Sequence, residues 1–181
     1  MSRRLCLFNG FLALIAFMCI SGCASKEERQ HKKEISTFRV HLESEPGSVD
    51  RSSAVTVYRS APLLIGIDRE PILDESHVRS AAVIEQPVGY AIEIQLDRRG
   101  SWILERTTVG YKGRHLAIFG HFGPARWLAA PEITGRNSSG RLVFSPDATR
   151  EEAERFVRGL NNTAHKLERR ENWPFRGPLD Q

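Results

Sequence analysis

The sequence predicts a single small α+β domain, in which about two or three helices pack on a mainly antiparallel sheet of about four to six strands. Strand-like and helix-like segments are interleaved between residues 37 and 170 without strict alternation. No glycine-rich phosphate turn follows the first strand-like segment, which argues against a doubly wound nucleotide-binding fold. The patterned region has roughly 130 residues, an ordinary size for one domain.

The strand predictions depend on two patterns of apolar residues. Between Tyr90 and Asp97, apolar side chains occupy every second position, as in a strand with one face in water. Leu116–Phe119 is instead a continuous apolar run, which is typical of a central strand buried on both faces. Shorter segments with strand-like composition are Phe38–Leu42, Val55–Tyr58, and the pair Trp127–Ala130 and Arg141–Phe144, which a turn-rich segment joins.

The most distinct helix signal lies near the end of this region. Thr149 and Glu152 have the spacing of a capping box, in which each side chain bonds to the backbone of the other residue. The apolar residues that follow share one helix face: Ala153, Phe156, Val157 and Leu160. A helix is therefore predicted to begin directly after Thr149.

Two further helices are predicted earlier in the chain. Asp74 is a suitable N-cap residue. The residues that would then share a helix face are Val78, Ala81 and Ala82. The other helix is predicted within Ser101–Tyr111, where apolar and threonine residues also have helical spacing.

Residues 1–22 have the anatomy of a secretory signal. Arg3 and Arg4 precede an apolar run from Leu5 to Ile20, and small residues follow it. The run is about 15 residues long, short of the roughly 20 that a membrane-spanning helix needs. A removable export signal is therefore favoured over a permanent transmembrane anchor. The arginine pair also resembles the twin-arginine export signal, and this alternative export route stays open.

The segment Ile20-Ser21-Gly22-Cys23 resembles the bacterial lipobox. This resemblance implies that the signal is cleaved between Gly22 and Cys23, and that Cys23 carries lipid, with acyl chains such as palmitate. Several acyl chains anchor a domain stably, whereas one chain anchors it only marginally. The protein is therefore expected at the bacterial cell membrane or outer membrane, held by the lipid on Cys23, with its domain outside the cytoplasm.

Composition narrows the range of functions. All three cysteines lie at or before the predicted cleavage site, so the mature domain has no thiol for a disulfide, a nucleophile or a metal ligand. Removal of Arg3 and Arg4 from the 26 basic residues leaves 24, against 22 acidic residues. A formal charge this small gives no reason to expect nucleic acid as a partner.

Polar or irregular segments flank the predicted domain. Residues 23–36 are interpreted as a lipidated N-terminus and polar tether, because their charged side chains show no apolar periodicity. Residues 171–181 form a tail that combines prolines with Trp173 and Phe175. Such a tail can dock on another protein in extended form or close a gap on its own domain, and the sequence leaves both alternatives open.

Several segments occur in an informative order. They are Val57–Leu63, Ile72–Ala82, Tyr90–Asp97 followed by Gly100, the run His115-Leu116-Ala117-Ile118, the run Ala129-Ala130-Pro131-Glu132-Ile133, and Ser145–Leu160. In this order they resemble the head of the first periplasmic domain of SecD, from the SecDF export family. The resemblance implies an α+β head over residues 37–170 and a link to protein export. The sequence departs from that family in one respect: it has no bundle of transmembrane segments.

No catalytic, cofactor-binding or metal-binding residues are predicted. His115 and His121 lie six residues apart around one strand and can present two imidazoles on the same face, but no third metal ligand is indicated. Asp97 and Glu105 flank a turn, where a solvated strand end and an exposed helix position explain them. His77 fits the first turn of a helix.

Polar and aromatic residues outside these groups have ordinary interpretations. Asn137 and Asn161 begin glycosylation-type sequences, yet the bacterial signal makes that modification improbable, so they are interpreted as a turn and a helix end. Trp102 and Trp127 are expected in the core or half-buried, with a contact surface as the alternative.

The sequence therefore predicts a membrane-anchored, non-enzymatic module that binds proteins or peptides and assists protein export. Its expected partners are the membrane, through the lipid on Cys23, and Sec translocon components or unfolded exported polypeptides. Two alternatives stay open: a structural envelope protein that uses its C-terminal tail, and a small metal-dependent enzyme that uses His115 and His121. No cofactor is expected.

Overall fold

The structure is a computed structural model, and it describes residues 30–31, 33–45 and 52–171, with only the backbone of Glu171. The predicted signal peptide, Cys23 and most of the tail 171–181 lie outside the described residues. The chain divides after Lys32, and the unit that begins at Lys33 holds all the strands and helices named below.

From Lys33 onward, the described residues form nine β-strands and two α-helices. In chain order the elements are β1 (Thr37–Leu42), β2 (Ser52–Val57), β3 (Leu63–Asp68), β4 (Leu73–Asp74), β5 (Val78–Glu85), β6 (Tyr90–Leu96), α1 (Arg98–Gly110), β7 (Leu116–His121), β8 (Ala125–Ala129), β9 (Arg141–Phe144) and α2 (Arg150–Glu171).

All strand pairs are antiparallel, and the strands form three sheets. The largest sheet has the order β4-β1-β7-β8, a second sheet has the order β5-β6-β9, and β2 and β3 form a separate hairpin. The predicted α+β class is confirmed, with the strands distributed over three sheets instead of one. The segments Trp127–Ala130 and Arg141–Phe144 contribute to different sheets, so the turn-rich segment between them connects sheets and not paired strands.

Strand β7 is an inner strand of the largest sheet and is buried on both faces, as its continuous apolar run predicts. Leu116 and Ile118 belong to the main core, which α2 and the three-stranded sheet complete. Ala117 belongs to a second, smaller core with Ile65 and Ile67 of the β2–β3 hairpin. The hairpin therefore covers the face of the sheet that α2 does not cover.

Helix α2 begins with the predicted capping box. The Thr149 backbone N–H donates to Glu152 Oε2 at 2.8 Å, and the Glu152 N–H donates to Thr149 Oγ1 at 3.3 Å. Phe156 and Leu160 are fully buried, as the helical spacing predicts. The helix continues to Glu171, so the expectation that Asn161 marks a helix end is wrong.

The helix predicted after Asp74 is a strand. Asp74 does cap, because its carboxylate accepts from the Ser76 N–H at 2.9 Å, but only a short 3-10 turn (Glu75–His77) follows. The next residues form β5, which pairs with β6 along its whole length. Ala81 is buried and Ala82 is exposed, as on opposite faces of a strand. Long-range pairing has overridden the local helix signal.

Helix α1 begins three residues before the predicted Ser101. Asp97, which the sequence placed at the solvated end of a strand, is its N-cap and accepts from the Gly100 N–H at 2.6 Å. The buried face contains Leu104 and Thr108, in agreement with the predicted spacing. The Thr108 hydroxyl donates to the Leu104 carbonyl and accepts from the Asn137 N–H, so its burial leaves no unpaired hydroxyl.

The packed domain begins slightly before the predicted boundary at residue 37. Ser36, which the sequence placed in the polar tether, is 1% exposed. Its carbonyl accepts from Thr163 Oγ1 at 3.0 Å, and Arg158 Nε donates to Glu34 Oε2 at 3.0 Å. The polar composition of residues 23–36 did not indicate that Ser36 is buried, because a polar residue can pack its backbone against a helix when its backbone groups are hydrogen-bonded.

Two asparagines satisfy backbone groups at the edges of the three-stranded sheet. On the β5 side, Asn161 accepts from the Ala81 N–H at 2.8 Å and donates to the Ala81 carbonyl at 2.9 Å. On the β9 side, Asn137 Nδ2 donates to the Arg141 carbonyl at 2.8 Å, and the Arg141 N–H donates to Ser139 Oγ. Occupied edge groups cannot pair with a foreign strand, so both asparagines protect the sheet.

The variant Asn161→Ala is expected to lower the free energy of unfolding by about 1–3 kcal/mol, because both Ala81 backbone groups lose their partner. The measurement is urea denaturation of the variant beside the parent protein. Lys166→Ala, at an exposed position of the same helix, is the matched control and should change stability by less than about 0.5 kcal/mol. Equal effects of the two variants would contradict this role of Asn161.

Candidate functional site

The two histidines of the alternative metal site have different surroundings. His115 Nδ1 lies 2.8 Å from Glu43 Oε2, and the same carboxylate accepts from the His115 N–H. His121 is exposed at the end of β7. Within residues 30–31, 33–45 and 52–171, no group of three or more His, Cys, Asp or Glu side chains is placed to hold a metal ion.

The other acidic and histidine residues considered as site candidates do not lie together in one site. The Asp97 carboxylate caps α1, whereas the Glu105 carboxylate pairs with the Arg136 guanidinium. His77 Nδ1 lies 2.9 Å from Asp74 Oδ1 inside the 3-10 turn. Each of these groups therefore has a local structural partner.

A cleft of about 470 Å³ lies where three elements meet. The 3-10 turn and the start of β5 form one wall, the start of α1 forms another, and the second half of α2 forms the third. The lining side chains include Ser76, Arg79, Asp97, Arg98, His165 and Glu168, with Val78, Ala164 and Leu167 as its apolar part. These residues are far apart in the sequence, so no local motif could have indicated the cleft.

The cleft combines a charged rim with a small apolar floor. Arg79 and Arg98 are exposed, and Val78 and Ala164 are buried beneath them. The Asp97 carboxylate accepts from the α1 backbone, and the Glu168 carboxylate lies 3.9 Å from His165 Nδ1, whereas the guanidinium groups of Arg79 and Arg98 are charged donors at the opening. Donors around a small apolar surface suit an extended polypeptide segment, whose carbonyl groups accept hydrogen bonds and whose side chains need limited apolar contact.

An ion pair joins the start of α2 to β8. Arg126 Nη2 lies 2.5 Å from Glu152 Oε2, and both side chains are partly buried. The hydrogen bond from Arg126, together with the one from the Thr149 N–H, lowers the pKa of Glu152 from its usual value. The ionised carboxylate therefore joins β8 to the first turn of α2.

The two tryptophans have different environments. Trp127 is half-buried, as expected, and packs edge-to-face against His41 and Phe119. Trp102 is 60% exposed, which corrects the expectation of a core or half-buried position. The α1 helix buries its threonine face instead, so Trp102 points outward with Arg106, whose guanidinium lies 5.5 Å from the indole centroid.

Comparison with solved structures shows what this fold is similar to. The structure matches a chain of SecDF, described as a membrane component that enhances protein export, with a TM-score of 0.54 and 14% sequence identity, over 78% of this chain and 70% of that chain. The fold is SecD-like. SecDF in a super-membrane-facing form also matches, with a TM-score of 0.54 and 14% identity, over 77% of this chain and 21% of that chain. This likeness concerns the fold alone.

Comparisons at the level of sequence give no match: no protein-family model and no curated protein matches this chain. Neither α1 nor α2, the helices of the described region, has the length and apolar character that crossing a bilayer requires. The predicted lipid site at Cys23, cleavage after Gly22 and most of the aromatic tail lie outside the described residues.

The variant Glu152→Gln is expected to lower the free energy of unfolding at pH 7 by about 1 kcal/mol, because glutamine keeps the cap acceptor but loses the charge that faces Arg126. The folded-state pKa of Glu152 is lowered, so its stabilisation is present above the ordinary glutamate pKa of about 4.3 and is lost as pH falls through the lowered value.

Urea denaturation at pH 7 and at pH 3 measures this dependence. The difference between the parent protein and Glu152→Gln should shrink at pH 3. Glu151→Gln, the exposed neighbour, is the control and should have little effect at either pH. A difference for Glu152→Gln that is independent of pH would show that the carboxylate charge does not hold the start of α2.

Proposed function

We propose that this protein is a lipid-anchored envelope protein whose domain binds polypeptide segments without catalysing a reaction, as an accessory to protein export. The observation that carries the proposal is the SecD-like fold over 78% of the chain, since SecDF is described as enhancing protein export. Export is an activity of that protein, and it is extended to this chain only as a proposal.

Two features support the polypeptide-binding part. The cleft joins guanidinium donors to a small apolar surface and is about 470 Å³ in volume, within the range of roughly 300–1,000 Å³ that ligand pockets occupy. Its walls are elements of the packed domain: the 3-10 turn with the start of β5, the start of α1, and the second half of α2. A rigid cleft loses little conformational entropy when a flexible chain enters it.

The anchoring part rests on the lipobox-like segment that ends at Cys23. The polar residues between Cys23 and Glu34 can span at most roughly 35 Å when fully extended. A lipid on Cys23 would therefore keep the cleft close to a membrane, where exported polypeptides emerge. Translocon components and exporting chains are the proposed partners.

Fractionation of cells tests the anchor. The parent protein should stay with washed membranes, and Cys23→Ser should release it into the soluble envelope fraction, because several acyl chains are lost at once. The same amount of membrane-bound protein in the parent and in Cys23→Ser would contradict the lipid anchor.

Photo-crosslinking in intact cells tests the cleft. A crosslinking amino acid is placed at Arg79 or at Glu168, both exposed at the cleft, and at Glu151 as the control on the same helix as Glu168. Adducts with translocon subunits or exporting chains are expected from the two cleft positions and not from Glu151. Adducts dominated by unrelated envelope proteins would show that the fold is SecD-like without a role in export.

A further inference from the structure

The exposed side of α1 has an unusual composition. We define the α1 outer face as Arg99, Trp102, Arg106 and Val109, which recur at the helical spacing and are all exposed. Trp102 is 60% exposed and Val109 is 61% exposed. Trp102 thus stands in water between two arginines, and the exposed Val109 follows on the same face.

The two arginines of this face have no acidic partner among the described residues. The ion pairs of the described region use other cations, and the acidic residue nearest in the helix, Glu105, is paired with Arg136. Arg106 instead lies over the Trp102 ring at 5.5 Å. Arg98 and Lys112 extend the positive charge at the two ends of the helix. The positive charge here is local, because the formal charge of the whole chain is only +4.

We infer that the α1 outer face binds the surface of an anionic membrane. Arginines beside an exposed tryptophan match the interface of a bilayer, where phosphate groups accept from guanidinium groups and the indole ring lies at the level of the headgroups. The face is one convex helix surface, which fits a plane better than it fits a peptide, since a peptide is usually held in a groove.

This inference goes beyond the polypeptide-binding role and uses residues outside the cleft. A short tether from a lipid on Cys23 would raise the effective concentration of the face at the membrane and make a weak contact sufficient. The membrane contact would then set the orientation of the domain. The contact itself does not require the lipid, so it can be tested separately from the proposed anchor.

The test uses the chain from residue 23 onward with Cys23→Ser, which contains the whole packed domain. It is mixed with vesicles of phosphatidylethanolamine and phosphatidylglycerol, or of phosphatidylcholine alone, and bound protein is measured by flotation. We expect binding to the anionic vesicles, a decrease with added salt, and a blue shift of tryptophan emission that is absent in Trp102→Phe.

Charge reversal supplies the matched variants. Arg99→Glu combined with Arg106→Glu should lower binding about tenfold or more. Arg69→Glu combined with Arg155→Glu changes the net charge equally at exposed positions outside the α1 outer face and should retain most of the binding. Circular dichroism establishes that both proteins are folded, and because all four arginines are exposed, unfolding is not expected.

Two results would overturn the inference. One is the absence of binding to anionic vesicles by the parent protein, and the other is an equal loss of binding in both charge-reversed variants. A polyglutamate peptide is the competing ligand. If it bound the face and the vesicles did not, the face would be a site for acidic polypeptides instead of a membrane.

Discussion

The domain depends on the close packing of α2 against the segment before β1 and against β7, at two glycines where an added Cβ would crowd its neighbours. At Gly159 an added Cβ would lie 2.2 Å from Ser36 Oγ and 2.9 Å from Ser36 N. At Gly120 of β7, it would lie 2.6 Å from Leu128 Cδ1 and 3.0 Å from Phe156 Cε2. Glycine inside a helix costs up to about 1 kcal/mol relative to alanine, so its presence in α2 reflects this packing.

The close packing at these glycines places α2 across the four-stranded and the three-stranded sheets. Phe156 enters the main core above Gly120, and Asn161 closes the β5 edge of the three-stranded sheet. The second half of the helix then forms a wall of the cleft, while α1, on a different wall, keeps its arginine and tryptophan face in water. The cleft proposed to bind polypeptides and the α1 outer face proposed to bind a membrane therefore belong to the same packed domain but use different surfaces.

Local signals in the sequence predicted the elements that local interactions decide. The capping box of α2 and the apolar run of β7 are examples, since each depends on neighbouring residues. The Asp74 cap was recognised, but pairing with β6 turned the following residues into a strand. Trp102 was expected in the core or half-buried because it is aromatic, although the spacing of Leu104, Thr107 and Thr108 correctly indicates the face that α1 buries, and Trp102 lies outside that face. The cleft could not be predicted at all, because tertiary packing alone brings its walls together.

The dependence of the domain on the Gly159 contact can be measured by urea denaturation of Gly159→Ala. Alanine normally stabilises a helix interior relative to glycine, so the sign of the change is decisive. We expect a loss of about 1–3 kcal/mol, since the backbone of Ile35 and Ser36 must shift to admit the methyl group. Gly110→Ala in α1, where an added Cβ meets nothing within 4 Å, is the control and should not lose stability. A gain in stability for Gly159→Ala would contradict the role assigned to this contact.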